Sequence, residues 1–155
     1  MDENKKWIML VYKPPKARTS AVKVALWRKL KKLGVYQLQD AVCVLPFSEK
    51  NHENFQWTAA ELVETGGEAS LWLTSSLSPE KEREIYSFFI DQSNDQYKKL
   101  MIELSKITSE MDLRKLWTLY HRIKAQDYLK SPLCVEVKAA FEKRREILNK
   151  TETEK

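Results

Sequence analysis

Ten lysines and arginines lie between Asn4 and Gln39 with no acidic residue among them: Lys5, Lys6, Lys13, Lys16, Arg18, Lys23, Arg28, Lys29, Lys31 and Lys32. A field of one sign attracts anions, and nucleic acid is the commonest large anion that a small protein meets. Arg28, Lys29, Lys31 and Lys32 fall in a single helical segment, and Lys16 and Arg18 sit on the loop before it. Cations so placed would contact phosphates and gain affinity by releasing counterions, without reading sequence. Free N–H groups at the helix start near Ser20 would add to the same anion site. An ordinary solvated helix also carries Lys and Arg, but with Glu interspersed in i,i+4 pairs. The missing acids favour phosphate contact, and the solvated face stands as the competing reading.

The elements that must position these cations can be read from spacing. Trp7–Tyr12 is a continuous apolar run, fit for a buried strand. Two prolines follow in KPPKARTS, and Thr19 or Ser20 can cap a helix. Val22, Leu26, Leu30 and Leu33 form one apolar stripe over Ser20–Leu33, with Arg28, Lys31 and Lys32 pointing away from it. Lys29 falls at the edge of the stripe, where its stem could pack and its ammonium reach water. Gly34 ends the helix. Val35–Leu38 and Val42–Leu45 are strand candidates joined through Gln39-Asp40-Ala41, a connection without glycine. Asn51–Thr65 is a second helix, closed by Gly66-Gly67, and Glu68–Thr74 a fourth strand. The order is β-α-β-β-α-β, the ferredoxin-like arrangement.

After Ser78-Pro79 the patterns are helical. Leu113, Leu116, Trp117, Tyr120 and Ile123 make a strong stripe, Asp91–Asp95 is a polar break, and Lys130-Ser131-Pro132 separates a last helix marked by Val137, Phe141 and Leu148. The reading is thus α+β: a ferredoxin-like domain over residues 1–76, an all-helical extension over 77–150, and a frayed tail over 151–155. Trp7, Trp72 and Trp117 sit on core patterns. Trp27 and Trp57 are either half-buried edge residues or, for Trp27 beside Arg28, a base-stacking group. Lys143-Arg144-Arg145, flanked by Glu142 and Glu146, reads as a solvated face.

The chain has 155 residues, a formal charge of +5 and 43% hydrophobic residues, enough for a real core and against disorder. No run approaches the length of a membrane span, and the apolar run near the N-terminus is too short for a signal peptide. Cys43 lies in an apolar run as a buried thiol, and Cys43 and Cys134 suggest no disulfide framework, so a reducing, cytoplasmic setting is expected. His52 and His121 have no ligand-spaced partners, and no metal or cofactor is expected. With three glycines there is no phosphate-cradling loop, and HExxH, GxSxG and Cys-His patterns are missing. Small ferredoxin-like CRISPR-associated nucleases have this element order and hold a metal with an Asp at the end of the first strand. Here that strand ends in Val11-Tyr12-Lys13, without the carboxylate. A non-enzymatic protein is expected.

The run VALWRKLKKLGVYQLQDAVCVLP resembles the N-terminal domain of the chromate-resistance regulator ChrB. Trp27, Arg28, Leu30, Gly34, Leu45 and Pro46 match that pattern, and the segment from Tyr120 to Pro132, with Asp127-Tyr128 before the proline, resembles the family's second helical stretch. The strand–helix–hairpin order is also similar to the central domain of PaaX-type repressors. The resemblance spans about residues 7–148. It implies a DNA-binding regulator of a chromate-inducible operon, with DNA as partner, chromate or another oxyanion as possible effector, and a homodimer as the binding form. Lys16, Arg18, Arg28, Lys29, Lys31 and Lys32 are the expected phosphate contacts. Full-length members carry a second domain after this region, and sensing could depend on it. The rival readings are a non-catalytic protein-interaction module and an accessory protein of chromate resistance.

Overall fold

The computed structural model describes residues 6–16 and 21–153. In chain order its elements are β1 (Trp7–Lys13), α1 (Ala21–Leu33), β2 (Tyr36–Gln39), β3 (Val42–Pro46), α2 (Glu49–Glu64), β4 (Glu68–Thr74), α3 (Pro79–Lys106), α4 (Glu110–Gln126) and α5 (Leu133–Thr153). The protein is α+β, a four-stranded antiparallel sheet followed by helices. It divides into two compact units, Met1–Ile85 and Tyr86–Lys155, with α3 beginning in the first and continuing into the second.

In the first unit the strand order is β2-β3-β1-β4. The β1–α1–β2 and β3–α2–β4 crossovers each skip one strand, which is the ferredoxin-like topology, and their common hand places both helices on one face. Register fixes which side chains share a face. Leu10 lies opposite Cys43 and Leu71, and Ile8 opposite Leu45 and Leu73. Leu10, Cys43 and Leu45 are excluded from solvent on the face covered by α1 and α2, with Phe55 and Leu62 of α2 buried as well. The opposite face carries Trp7, Met9, Val44 and Tyr36, and the first turns of α3 reach it. The Trp7 indole N–H donates to Glu82 Oε2 at 2.8 Å, and the backbone N–H of Ser76 donates to the other carboxylate oxygen. Tyr36 OH donates to Glu84 at 2.9 Å.

The glycine-free hairpin is closed by Ala41 at φ 62°, with a register shift between Gln37 and Gln39. An extra residue in the loop gives the bend that a glycine turn would otherwise supply. The expectation for Trp72 is corrected: it is 56% exposed. β4 is an edge strand, so Trp72 has a neighbouring strand on one side only.

The second unit is built around Tyr97, Leu100, Leu104, Leu113, Tyr120, Ile123, Val137 and Phe141. Trp117 packs here as expected, stacked on Tyr120 at 5.1 Å and edge-on to Phe141 at 5.2 Å. The polar stretch Asp91–Asp95 does not interrupt α3: Ser93 turns inward, Asn94 accepts from the Ser131 hydroxyl, and Asp91 and Asp95 are exposed. The turn before α5 is tied by Asp127, whose carboxylate accepts from Tyr97 OH at 2.9 Å and from the Ser131 N–H at 2.9 Å. Burial, more than these bonds, holds the Tyr97 hydroxyl well above the usual phenol range. Arg144 is not part of a solvated face: its guanidinium donates to the Leu104 and Ser105 carbonyls at 3.2 and 2.6 Å, capping the end of α3.

Two substitutions should move stability in opposite directions. Glu82→Ala strands the buried Trp7 N–H and should cost about 1–3 kcal/mol. Ala41→Gly relieves a left-handed alanine and should gain up to about 1 kcal/mol, after the added freedom of the unfolded chain. Urea unfolding followed by circular dichroism measures both as shifts of midpoint.

Candidate nucleic-acid interface

The basic helix is seated by its own sequence. Leu30 is fully buried, and Val22, Leu26 and Leu33 are half-buried on the same stripe. At its end the Gly34 N–H donates to Lys31 O at 3.0 Å and the Val35 N–H to Leu30 O at 3.4 Å, with Gly34 at φ 77°. This is a Schellman motif, and the buried pair Leu30 and Val35 supplies its apolar contact. Lys31 and Lys32 lie in the last turn, where the helix dipole favours cations.

With the stripe held inward, Arg28, Lys31 and Lys32 are exposed. At ~100° per residue they share an arc of roughly 100° on the outer surface. Neither Arg28 nor Lys31 makes a salt bridge to a described residue. Lys29 is placed differently. Its ammonium is bonded to Glu61 of α2, and the pair crosses a groove of about 390 Å³ lined by Val22, Ala25, Leu26, Thr58, Leu62 and Thr65. Its charge is therefore turned toward α2. Lys16 is exposed on the loop after β1. Arg18 lies outside the described residues, as do Thr19 and Ser20, the expected caps.

Lys23, one of the ten cations of the acid-free run, and Trp27, read above as an edge residue or a base-stacking group, lie beside this group on α1. Lys23 is exposed and Trp27 is 46% exposed. Lys23, Trp27 and Lys31 follow at i, i+4 and i+8, one row along the helix. That spacing is visible in the sequence. Trp57, the other uncertain tryptophan, is 64% exposed on α2.

The remaining reactive groups lie elsewhere. Burial pushes the Cys43 thiol up to about 12. Cys134 is half-buried in the second unit, 3.4 Å from the Tyr120 hydroxyl. His121 stands edge-on to Trp117 at 4.8 Å. Among the described residues no three His, Cys, Asp or Glu side chains are grouped as metal ligands, and no helix is long and apolar enough to cross a membrane.

The family model described as protein ChrB, N-terminal, matches residues 23–118, which run from α1 into α4. Neither a curated protein nor a solved structure matches the chain.

The two thiols should separate cleanly in the folded protein. At pH 8, Cys134 should be alkylated well before Cys43, because Cys43 is both buried and almost wholly protonated. Mass spectrometry of timed iodoacetamide labelling, with and without denaturant, checks this. Rapid native labelling of Cys43 would contradict its placement.

Proposed function

The chain belongs to the family of the ChrB N-terminal domain, a family of chromate-resistance regulators, and we propose that it acts as a DNA-binding transcriptional regulator through α1. The observation that carries the reading is the acid-free outer face of α1, with Arg28, Lys31 and Lys32 exposed together. Such a face meets the duplex as a set of phosphate contacts: it supplies affinity and orientation, while base discrimination needs other groups. Lys16 on the loop after β1 adds to that charge, and Arg18 adds to it by its place in the sequence. Lys29 contributes least, because Glu61 holds its ammonium. Chromate or a similar oxyanion is the effector that the family suggests, released or bound against a DNA-bound form. No catalytic step and no cofactor enter this function.

A protein-interaction module is the second reading. It is favoured by Trp57 and Val63, which are 64% and 58% exposed on α2. Salt separates the two, because phosphate binding weakens linearly in log salt and an apolar contact does not.

Binding to a labelled duplex from upstream of the chain's own gene should fall steeply between low and physiological salt, and a scrambled duplex should bind more weakly. Reversing Arg28 and Lys31 to Glu should lower affinity by at least about tenfold and flatten the log–log salt slope by roughly 0.9 for each phosphate no longer neutralised. Lys29→Ala should change affinity far less. A folded Arg28→Glu, Lys31→Glu variant that binds as the parent does would remove α1 as the interface.

A further inference from the structure

The two edges of the sheet are built differently. β2, at one edge, has four residues, is broken by the register shift between Gln37 and Gln39, and has Tyr36 tied to Glu84. Short length, a bulge and a side-chain tie are the devices that keep an edge from pairing. β4, at the other edge, has seven residues in unbroken register with β1 and, after Glu68, carries no charge and no proline. Among the described residues its backbone makes no hydrogen bond to another strand or loop beyond that ladder. Half of its N–H and C=O groups therefore face outward from the sheet. Apolar surface accompanies this open edge: Trp72 and Leu73 are 56% and 53% exposed, and Leu77 just beyond the strand is fully exposed. A long edge in unbroken register, without charge beyond its first residue, is a template for another strand.

We propose that β4 pairs antiparallel with β4 of a second copy, joining two sheets into one across a two-fold axis at Leu71. The strand is self-complementary about that residue. Ser70 falls opposite Trp72 of the second copy, Ala69 opposite Leu73, and Glu68 opposite Thr74. Opposed residues in an antiparallel pair share a face, so each indole packs over a small serine and each leucine over an alanine. No like charges meet. Within one chain the Trp72 indole N–H already donates to Ser70 Oγ at 2.9 Å, so the ring lies along the strand toward the axis. The same patch serves both copies, and the contact closes at two. This assembly does not depend on what α1 binds.

Light scattering over a concentration series reads it directly. The parent should reach twice 18.3 kDa. Ser70→Lys with Trp72→Lys sets lysine against lysine at two symmetric places and should weaken the dimer by at least about tenfold with an unchanged circular dichroism spectrum. Ser70→Lys with Trp72→Glu sets lysine against glutamate and should keep it. Leu71→Cys in a Cys134→Ser background should cross-link to its own counterpart under mild oxidation. That last variant decides the matter if the double-lysine chain fails to fold. A parent that stays monomeric throughout, a folded double-lysine variant that dimerises as the parent does, or a Leu71→Cys variant that gives no cross-link overturns the proposal.

Discussion

The hydrogen bond between the Trp7 indole and the buried Glu82 carboxylate organises the first unit. It joins the central strand β1 to the opening turns of α3, elements separated by 75 positions in the chain. A carboxylate is buried only where its oxygens find donors, and Glu82 has one on each oxygen, from Trp7 and from Ser76. That bond places the opening turns of α3 on the sheet face bearing Trp7 and Tyr36. The other face is left to α1 and α2, which must then turn their apolar stripes toward Leu10, Cys43 and Leu45. Once Leu30 is committed to that side, the geometry of the helix leaves Arg28, Lys31 and Lys32 outward.

Burial, and not attraction among charges, thus creates the cationic face. Three like charges within one arc repel weakly in water, and the folded state tolerates this because the helix is held by its stripe and its Schellman end. Lys29 marks the limit of the arrangement. One step around the helix from Arg28, it is close enough to α2 for Glu61 to take its ammonium. An exposed pair of this kind adds little stability. Its effect is electrostatic: it withdraws one cation from the outer field of α1.

Much of this was legible in the sequence, where the cause was local. Short apolar runs bounded by turn residues pointed to the strands, period-3.6 spacing to the helices, Gly34 to the helix end, and the acid-free run to the charge of α1. What escaped is non-local. Whether a strand is central or at an edge depends on sheet order, so Trp72 shows a core pattern yet is exposed. Lys29 and Glu61 are 32 positions apart, and nothing in either neighbourhood announces the pair. Arg144 looked like one cation in a charged row, and its capping of α3 appears only when α5 is packed beside it. Ala41 at positive φ breaks the glycine rule for tight turns because the bulged register demands that bend.

The residues that carry the family pattern divide by what they touch. Leu30, Leu45 and Pro46 are buried, and Gly34 closes a helix through a backbone conformation that alanine would strain. Packing and turn geometry account for all four. Trp27 and Arg28 are different: Arg28 is exposed and Trp27 is 46% exposed. A large aromatic residue with half its surface in water is available to a partner. On the proposed reading, this adjacent pair is the part of the pattern that would report function as well as fold. It lies on the same helix as Lys23 and Lys31, where a charged partner would meet a stacking surface and phosphate contacts together.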